Sequence, residues 1–178
     1  MADQRAFDVA HEHVCKWEGY WSDDPDDTGG ATKYGVSLKF LRSTNTDIND
    51  DGTVDRNDVL AVTPEIQKAL FKHNFWDNLD LDDWPARVAI VFYDSSVNAG
   101  AKQSVKLLQR ALNVSDDGLY GPETKAALMS CDDLATALRL CDERDKFYRS
   151  IAKNGNNAKF LKGWLNRVDA CRSVVKGF

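Results

Sequence analysis

The residues whose side chains could best take part in a reaction lie between positions 17 and 36, in the segment WEGYWSDDPDDTGGATKYGV. Glu18 follows Trp17 and comes one helical turn after Val14, so its carboxyl should border an apolar helix face. Partial burial there would favour the protonated acid, because a less polar environment disfavours the charge. Glycoside cleavage requires such an acid to protonate the leaving oxygen. Glu18 is therefore the candidate acid catalyst, and an exposed helix-terminal residue is the alternative interpretation.

Two further oxygen-bearing residues follow in the chain, Asp27 and then Thr32. The order Glu, Asp, Thr resembles that of the Glu–Asp–Thr phage lysozymes. In such a site the Asp can stabilise positive charge on the sugar or help to hold water, and the Thr can position that water. Turn formation is the alternative role for this aspartate and for its acidic neighbours, which compete with it for the catalytic role. These neighbours are Asp23, Asp24 and Asp26.

The segment as a whole resembles the opening motif of glycoside hydrolase family 108. This resemblance implies an N-acetylmuramidase that cuts peptidoglycan between N-acetylmuramic acid and N-acetylglucosamine, with catalysis assigned mainly to the Glu. The chain departs from the family's second Gly and Tyr with Tyr20 and Trp21. The matches are Glu18, Gly19, Asp24-Pro25, Asp27, Gly29-Gly30, Thr32, Tyr34-Gly35-Val36, Ser96 to Gly100, Phe160 and Gly163 to Val168. The predicted substrate-binding residues are Tyr20, Trp21, Tyr34, Asn98 and Tyr120.

A second pattern, DINDDGTVDRND, occupies positions 47–58. Its oxygen side chains, the Gly at its sixth position and the Val at its eighth match a twelve-residue EF-hand loop, with Asp in place of the final Glu. We expect one structural Ca²⁺, because so many neighbouring acidic groups would repel one another without a cation; a solvated acidic loop is the alternative. The predicted ligands are Asp47, Asn49, Asp51, Thr53 through its carbonyl, Asp55 and Asp58.

Residues 107–128, LLQRALNVSDDGLYGPETKAAL, resemble the short helical repeat of peptidoglycan-binding domains. Gly118 and Gly121 serve the turns, and Pro122 fits a first helical position. Tyr120 is the most exposed candidate for stacking on a sugar or peptide. Plain helix–turn–helix packing is the alternative interpretation, and the segment is too short to fold alone.

The remaining patterns predict a mainly α, lysozyme-like single domain over residues 1–178, with one small β-hairpin around Gly29–Gly30 and the EF-hand-like loop. Residues 1–100 would form the catalytic portion and 101–178 a helical portion. Amphipathic spacing predicts a first helix ending at Gly19. The run Pro85 to Ala99 is apolar nearly all round in its first half, which places it at the centre of the fold. Further helices are predicted over 64–72, 103–112 and 122–128, with two longer ones at the end of the chain.

The composition and the sequence patterns limit the classes of partner that we expect. The 178 residues carry a formal net charge of −5 and no stretch of apolar residues long enough to span a membrane. No aromatic-basic pattern or reading motif points to nucleic acid. The four cysteines are widely spaced, and Cys15, Cys141 and Cys171 are expected on apolar helix faces as reduced thiols. The three tryptophans expected in the core are Trp76, Trp84 and Trp164.

The favoured hypothesis is a monomeric phage endolysin acting on bacterial peptidoglycan. The N-terminus lacks the features of a secretory signal, so we expect accumulation in the host cytoplasm and passage to the wall by a holin-type route. A host muramidase that serves a secretion system is the enzymatic alternative. A non-catalytic, calcium-stabilised wall-binding protein is the alternative of a different class.

Overall fold

The computed structural model describes residues 5–22, 30–153 and 155–178. The architecture is mainly helical with a small antiparallel sheet, which confirms the predicted fold class. The chain forms two compact units, and the expectation of one domain stays a prediction. The large unit comprises Met1–Val14 and Asn74–Phe178, and the small unit comprises Cys15–His73. In the described residues no helix has both the length and the apolar character of a membrane span.

The sheet of the small unit has three strands in the order β1-β2-β3. The antiparallel pair β1–β2 is the hairpin expected around Gly30, and β3 is an additional strand. Tyr34 and Gly35 join β2 to β3 with φ values of 51° and 80°, the positive values that a two-residue hairpin turn favours. The strands are β1 (Trp21–Ser22), β2 (Thr32–Lys33) and β3 (Val36–Ser37).

Three helices complete the small unit. The first was not predicted; Ser37 caps it by accepting a hydrogen bond from the Phe40 N–H (3.1 Å). The third begins at Pro64, where the sequence predicts it, and Thr63 caps it. The helices are α2 (Leu38–Thr44), α3 (Arg56–Ala61) and α4 (Pro64–Phe71). The buried apolar residues of the small unit are Ala31, Val36, Leu41, Val59, Val62 and Phe71.

The first helix of the chain, α1 (Arg5–Cys15), buries Phe7, Ala10 and Val14 as its spacing predicts. It ends four residues before Gly19, so the predicted boundary is wrong. Trp17 is 37% exposed and does not continue the apolar face. Cys15 is also exposed, which corrects its expected place on that face.

The large unit is built around α5 (Ala86–Ala99), in which every residue from Val88 to Ser96 is buried. The prediction of a central helix is confirmed: α6, α8 and α9 each contact it. Short turns of π- and 3₁₀-helix, Lys72–Trp76, Asp77–Leu79 and Leu81–Asp83, precede it, and a 3₁₀ segment, Gly155–Phe160, precedes the last helix. The other helices are α6 (Ala101–Leu112), α7 (Pro122–Met129), α8 (Asp133–Ile151) and α9 (Leu161–Gly177).

The buried side chains of α8 include a charged residue that its apolar spacing does not indicate. Leu134 is exposed, whereas Leu140 and Arg144 are fully buried. Cys141 and Cys171 are buried as predicted. Helical spacing alone selected the apolar side chains and missed the arginine, because a buried charge requires a partner that only packing supplies. Trp76 and Trp84 are buried, and Trp164 is half-buried.

Candidate active site

Glu18 lies in the turn between α1 and β1, and its side chain is partly buried. The side chain rests against Gly35. A Cβ atom built on this glycine would lie 2.8 Å from Glu18 Oε2 and 2.9 Å from Glu18 Cγ. The φ of Gly35 is also +80°, which side-chain-bearing residues rarely adopt. Only glycine therefore lets the β2–β3 turn approach the candidate acid this closely.

Two predicted substrate-binding tyrosines adjoin this turn. The Tyr34 N–H donates to the Tyr20 carbonyl oxygen (3.0 Å), and the two rings meet edge to face with centroids 5.1 Å apart. Tyr20 is 68% exposed. Desolvation, followed by the neighbouring Tyr20 and the charge of Glu65, raises the pKa of Tyr34. The pair thus offers the neutral phenol of Tyr34 and the exposed ring of Tyr20 beside the turn that carries Glu18.

Trp21, the third predicted aromatic, is 37% exposed. The guanidinium carbon of Arg56 lies 5.5 Å from its ring centroid. Arg56 is the first residue of α3 and the tenth residue of the loop 47–58. Lys33 of β2 also donates to the Leu60 carbonyl oxygen in α3 (2.6 Å). The helix α3, which begins within the acidic loop, therefore contacts both Trp21 of β1 and Lys33 of β2.

Of the other two predicted catalytic residues, the structure describes only Thr32. Thr32 is on β2, within the hairpin expected for it, and its hydroxyl donates to the Gly30 carbonyl oxygen (3.3 Å). Asp27 lies outside the described residues, as do its three acidic neighbours.

The small unit also places residues of α4 near the candidate acid, which the sequence did not single out. Burial raises the pKa of the Cys15 thiol, as does the charge of Glu18, while Gln67 and Lys68 lower it. Cys15 Sγ lies 3.9 Å from Gln67 Oε1, and Gln67 is buried. Glu18 and Lys68 therefore act on the same thiol. No spacing in the sequence could reveal this, because more than forty residues separate the two charges.

The first half of the acidic loop is held by its own side chains. Asp47 Oδ2 accepts from the Gly52 N–H (2.8 Å), Asn49 Oδ1 from the Asp51 N–H (3.0 Å), and Asp51 Oδ1 from the Thr53 N–H (2.9 Å). Gly52, with φ +88°, makes the sharp turn predicted there. Within the described residues, the buried Asp47 Oδ1 has no hydrogen-bond partner.

The second half of the loop begins α3. Asp55 caps this helix, and Asp58 completes a capping box. The fully buried Asp58 carboxylate accepts from the N–H groups of Ile48 (2.7 Å), Asn49 (3.3 Å) and Asp55 (2.8 Å). Burial raises the pKa of Asp58, but these three hydrogen bonds outweigh it and lower the pKa below its usual value.

The predicted contacts Asn98 and Tyr120 belong to the large unit. The Tyr148 hydroxyl donates to Asn98 Oδ1. Tyr120 is half-buried and stacks on Trp84, with ring centroids 4.9 Å apart. Its expected exposure is therefore wrong, because the ring packs against the tryptophan. The exposed residue of this turn is Leu119, at 66%.

The large unit contains a buried charge cluster that sequence reasoning missed. Asp94 of α5 is fully buried, with its oxygens 2.5 Å from Arg144 Nη2 and 2.8 Å from Arg167 Nε. Burial alone would raise the pKa of Asp94, but the two arginines and His13 hold it well below its usual range. Desolvation opposes charge on His13, yet Asp94 and Cys171 raise the His13 pKa to about 9.

In the part of the chain that the structure describes, one group of three potential metal-ligating side chains has its ligand atoms within 4.8 Å of one another: His13, Asp94 and Cys171. The two arginines already bond the carboxylate, and their charges oppose a further cation. We interpret this cluster as a structural ion network. The carboxylates of the loop 47–58 form no such group.

Comparisons with known proteins agree with this arrangement. The family described as "Glycosyl hydrolase 108" matches residues 11–100, and the one described as "Predicted Peptidoglycan domain" matches residues 103–169. No curated protein matches the chain. The structure of SagA from Brucella abortus is similar, with a TM-score of 0.83 and 31% sequence identity over 99% of this chain and 97% of that one. The family match across the Glu18 segment and this similarity along the whole chain show that the protein belongs to the glycosyl hydrolase 108 family.

Proposed function

We propose that this glycoside hydrolase is a muramidase that cuts the β-1,4 bond between N-acetylmuramic acid and N-acetylglucosamine in peptidoglycan. The main support for the proposal is the packing of the Glu18 side chain against Gly35, inside the region that matches the hydrolase family. A carboxyl fixed by a backbone contact is pre-oriented toward its substrate, which is where enzymes gain much of their rate. The peptidoglycan-domain match over residues 103–169 supports the same substrate.

In the proposed reaction the Glu18 carboxylic acid gives its proton to the glycosidic oxygen as the C–O bond breaks. Tyr20 and Trp21 supply exposed aromatic surface for the sugar rings. Asp27 would stabilise the positive charge on the sugar or hold the attacking water, with Thr32 positioning that water. A water molecule adds to the sugar carbon, and its proton leaves to a carboxylate.

Replacing the candidate acid tests the proposal. Glu18→Gln keeps the shape of the side chain and removes the acid, so cleavage should fall by about 10²–10⁴-fold, the usual contribution of general acid catalysis. Purified peptidoglycan would be digested and its fragments analysed by mass spectrometry. Wild type should release fragments with a reducing N-acetylmuramic acid end.

Glu143→Gln is the matched control, because Glu143 pairs with Lys146 on the surface of α8 (2.7 Å) and should leave the rate unchanged. Wild-type-like rates in Glu18→Gln would refute the assignment of the acid. If folded wild type binds the wall and releases no glycan fragment, the protein is a wall-binding module instead.

We further propose that residues 47–58 bind one Ca²⁺ with a structural role. The buried, unpartnered Asp47 Oδ1 and the glycine turn at Gly52 support this site, with Asn49, Asp51 and the Thr53 carbonyl as further ligands. Asp55 is a further candidate ligand, whereas Asp58 is the least favourable one, because its fully buried carboxylate already accepts three backbone hydrogen bonds through both oxygens. The ion would offset the mutual repulsion of the loop carboxylates.

Chelation tests the calcium site. Removing Ca²⁺ with EDTA should lower the melting temperature and restoring it should reverse the loss, because a ligand that binds the folded state stabilises it. Asp47→Asn should weaken this response, whereas Asp116→Asn, outside the loop, should keep it. Identical melting curves with and without Ca²⁺ would contradict the proposal.

A further inference from the structure

A cavity of about 320 Å³ lies within the large unit, between α5, α6 and the turn at residues 118–120. Its volume is in the range of small-ligand pockets. Accessible apolar surface comes from Phe75, Leu79, Leu119 and Tyr120, with the fully buried Phe92 behind them, while Lys102 contributes a cation. Neither the proposed catalysis nor the proposed calcium site uses this cavity.

The turn that forms one wall is held rigidly by Gln109, which is buried in α6. Its side-chain amide N–H groups donate to Asp117 Oδ1 (2.8 Å), the Leu119 carbonyl oxygen (3.0 Å) and Thr124 Oγ1 (3.1 Å). Its oxygen accepts from the Gly118 N–H (2.8 Å). The two amide hydrogens are thus shared among three acceptors, and the side chain joins the turn to Thr124 of α7, so the wall is formed before any ligand arrives.

The aromatic wall is also fixed from behind. Trp84 stacks on Tyr120 and lies 4.8 Å from the ring centroid of Phe92. Its indole N–H donates to the Leu79 carbonyl oxygen (3.1 Å). Burial, and then the charges of nearby aspartates, raise the pKa of Tyr120, so its phenol remains a neutral donor. One face of Tyr120 is covered by the tryptophan.

The cation is positioned by the same turn. A Cβ on Gly118 would lie 3.3 Å from Lys102 Cγ and 3.0 Å from Lys106 Cε, so both lysine stems lie against this glycine. Lys106 acts on the carboxylates of Asp116 and Asp117. For Lys102, no acidic partner occurs among the described residues, and the side chain is exposed at the cavity rim.

We propose that this cavity binds the peptide portion of peptidoglycan, through small apolar side chains and a C-terminal carboxylate. This inference rests on the proposed function only in taking the wall as the target. The walls suit methyl groups, and the Lys102 ammonium complements the carboxylate. A glycan is the poorer fit, since sugars stack on open aromatic faces and Tyr120 has one face covered.

The probe is N-acetyl-D-alanyl-D-alanine, with its C-terminal amide as the ligand lacking the charge. Both would be titrated into ¹⁵N-labelled Glu18→Gln protein, which leaves the cavity intact. The acid should shift the backbone signals of Gly118, Leu119 and Tyr120 and the Trp84 indole signal. Its dissociation constant should be at least about tenfold lower than that of the amide, near the lower end of the range for one charge-assisted hydrogen bond.

Lys102→Gln should remove the preference for the acid, while Lys125→Gln, an exposed lysine on α7, should preserve it. Equal binding of acid and amide, or cavity shifts with chitotetraose in place of the peptide, would overturn the inference. No peptide binding together with normal wall cleavage by wild type would refute the cavity and leave the muramidase proposal standing. Peptide binding without any cleavage would do the reverse.

Discussion

Glu18 in the small unit is partly buried beside the backbone of Gly35, whereas Asp94 in the large unit is fully buried between Arg144 and Arg167. Both are single carboxyl groups close to the apolar interior. Two guanidinium groups hold Asp94 as a carboxylate anion. Its charge is compensated, and it has no proton to donate. Glu18 instead lies against a glycine, two residues before the exposed Tyr20. Burial alone therefore does not identify a catalytic acid. The groups that surround the carboxyl determine whether it can serve as one.

Removing the buried anion should have the largest effect on folding. Asp94→Asn leaves two buried arginines without their counter-charge, so the free energy of unfolding should fall by about 3–5 kcal/mol. Denaturant titration followed by circular dichroism measures this change. Asp116→Asn is the control: its 2.6 Å pair with Arg110 is exposed and should contribute at most about 1 kcal/mol. Equal, small losses in both variants would remove the distinction between the two acids.

Disturbing the neighbour of Glu18 should affect catalysis more than stability. Gly35→Ala places a methyl group against the Glu18 carboxyl and strains a positive φ, so the rate should fall by up to about 10²-fold, as for a displaced catalytic group. Initial rates on purified peptidoglycan report this loss. Gly163→Ala, where nothing lies within 4 Å, should leave the rate unchanged. An unimpaired Gly35→Ala enzyme would show that this contact does not position the acid.

The last prediction concerns pH and the histidine of the buried cluster. Because the His13 pKa is raised to about 9 in the folded protein, its stabilising contribution is complete below the unfolded pKa of about 6.5. Between these values the folded state binds the extra proton, so stability falls as pH rises, by at most about 1.4 kcal/mol per pH unit.

Unfolding at pH 7 and pH 9.5 for wild type and His13→Gln isolates this term. The stability difference between the two proteins should shrink at the higher pH. A difference that stays constant would show that His13 carries no extra proton in the folded state. For Asp94, whose pKa is lowered, the contribution is lost instead as pH falls below its unfolded value.

Most of the helices follow from local sequence patterns. The apolar run from Val88 to Tyr93 predicted a central helix, since a helix without a polar stripe must be surrounded by protein. The helix predicted over 64–72 is likewise found, as α4, which passes directly into a π-helical turn at Lys72. The segment around Glu18 also indicated the family, which the comparisons confirm.

Contacts between side chains far apart in the sequence depend on tertiary packing. It placed Gly35 against Glu18, Arg56 over Trp21, and Arg144 beside Asp94. It also turned Tyr120 inward onto Trp84 and ended α1 before Trp17. Hydrophobic spacing reports the face of one helix at a time, whereas a buried charge or a backbone contact depends on groups brought together from separate parts of the chain.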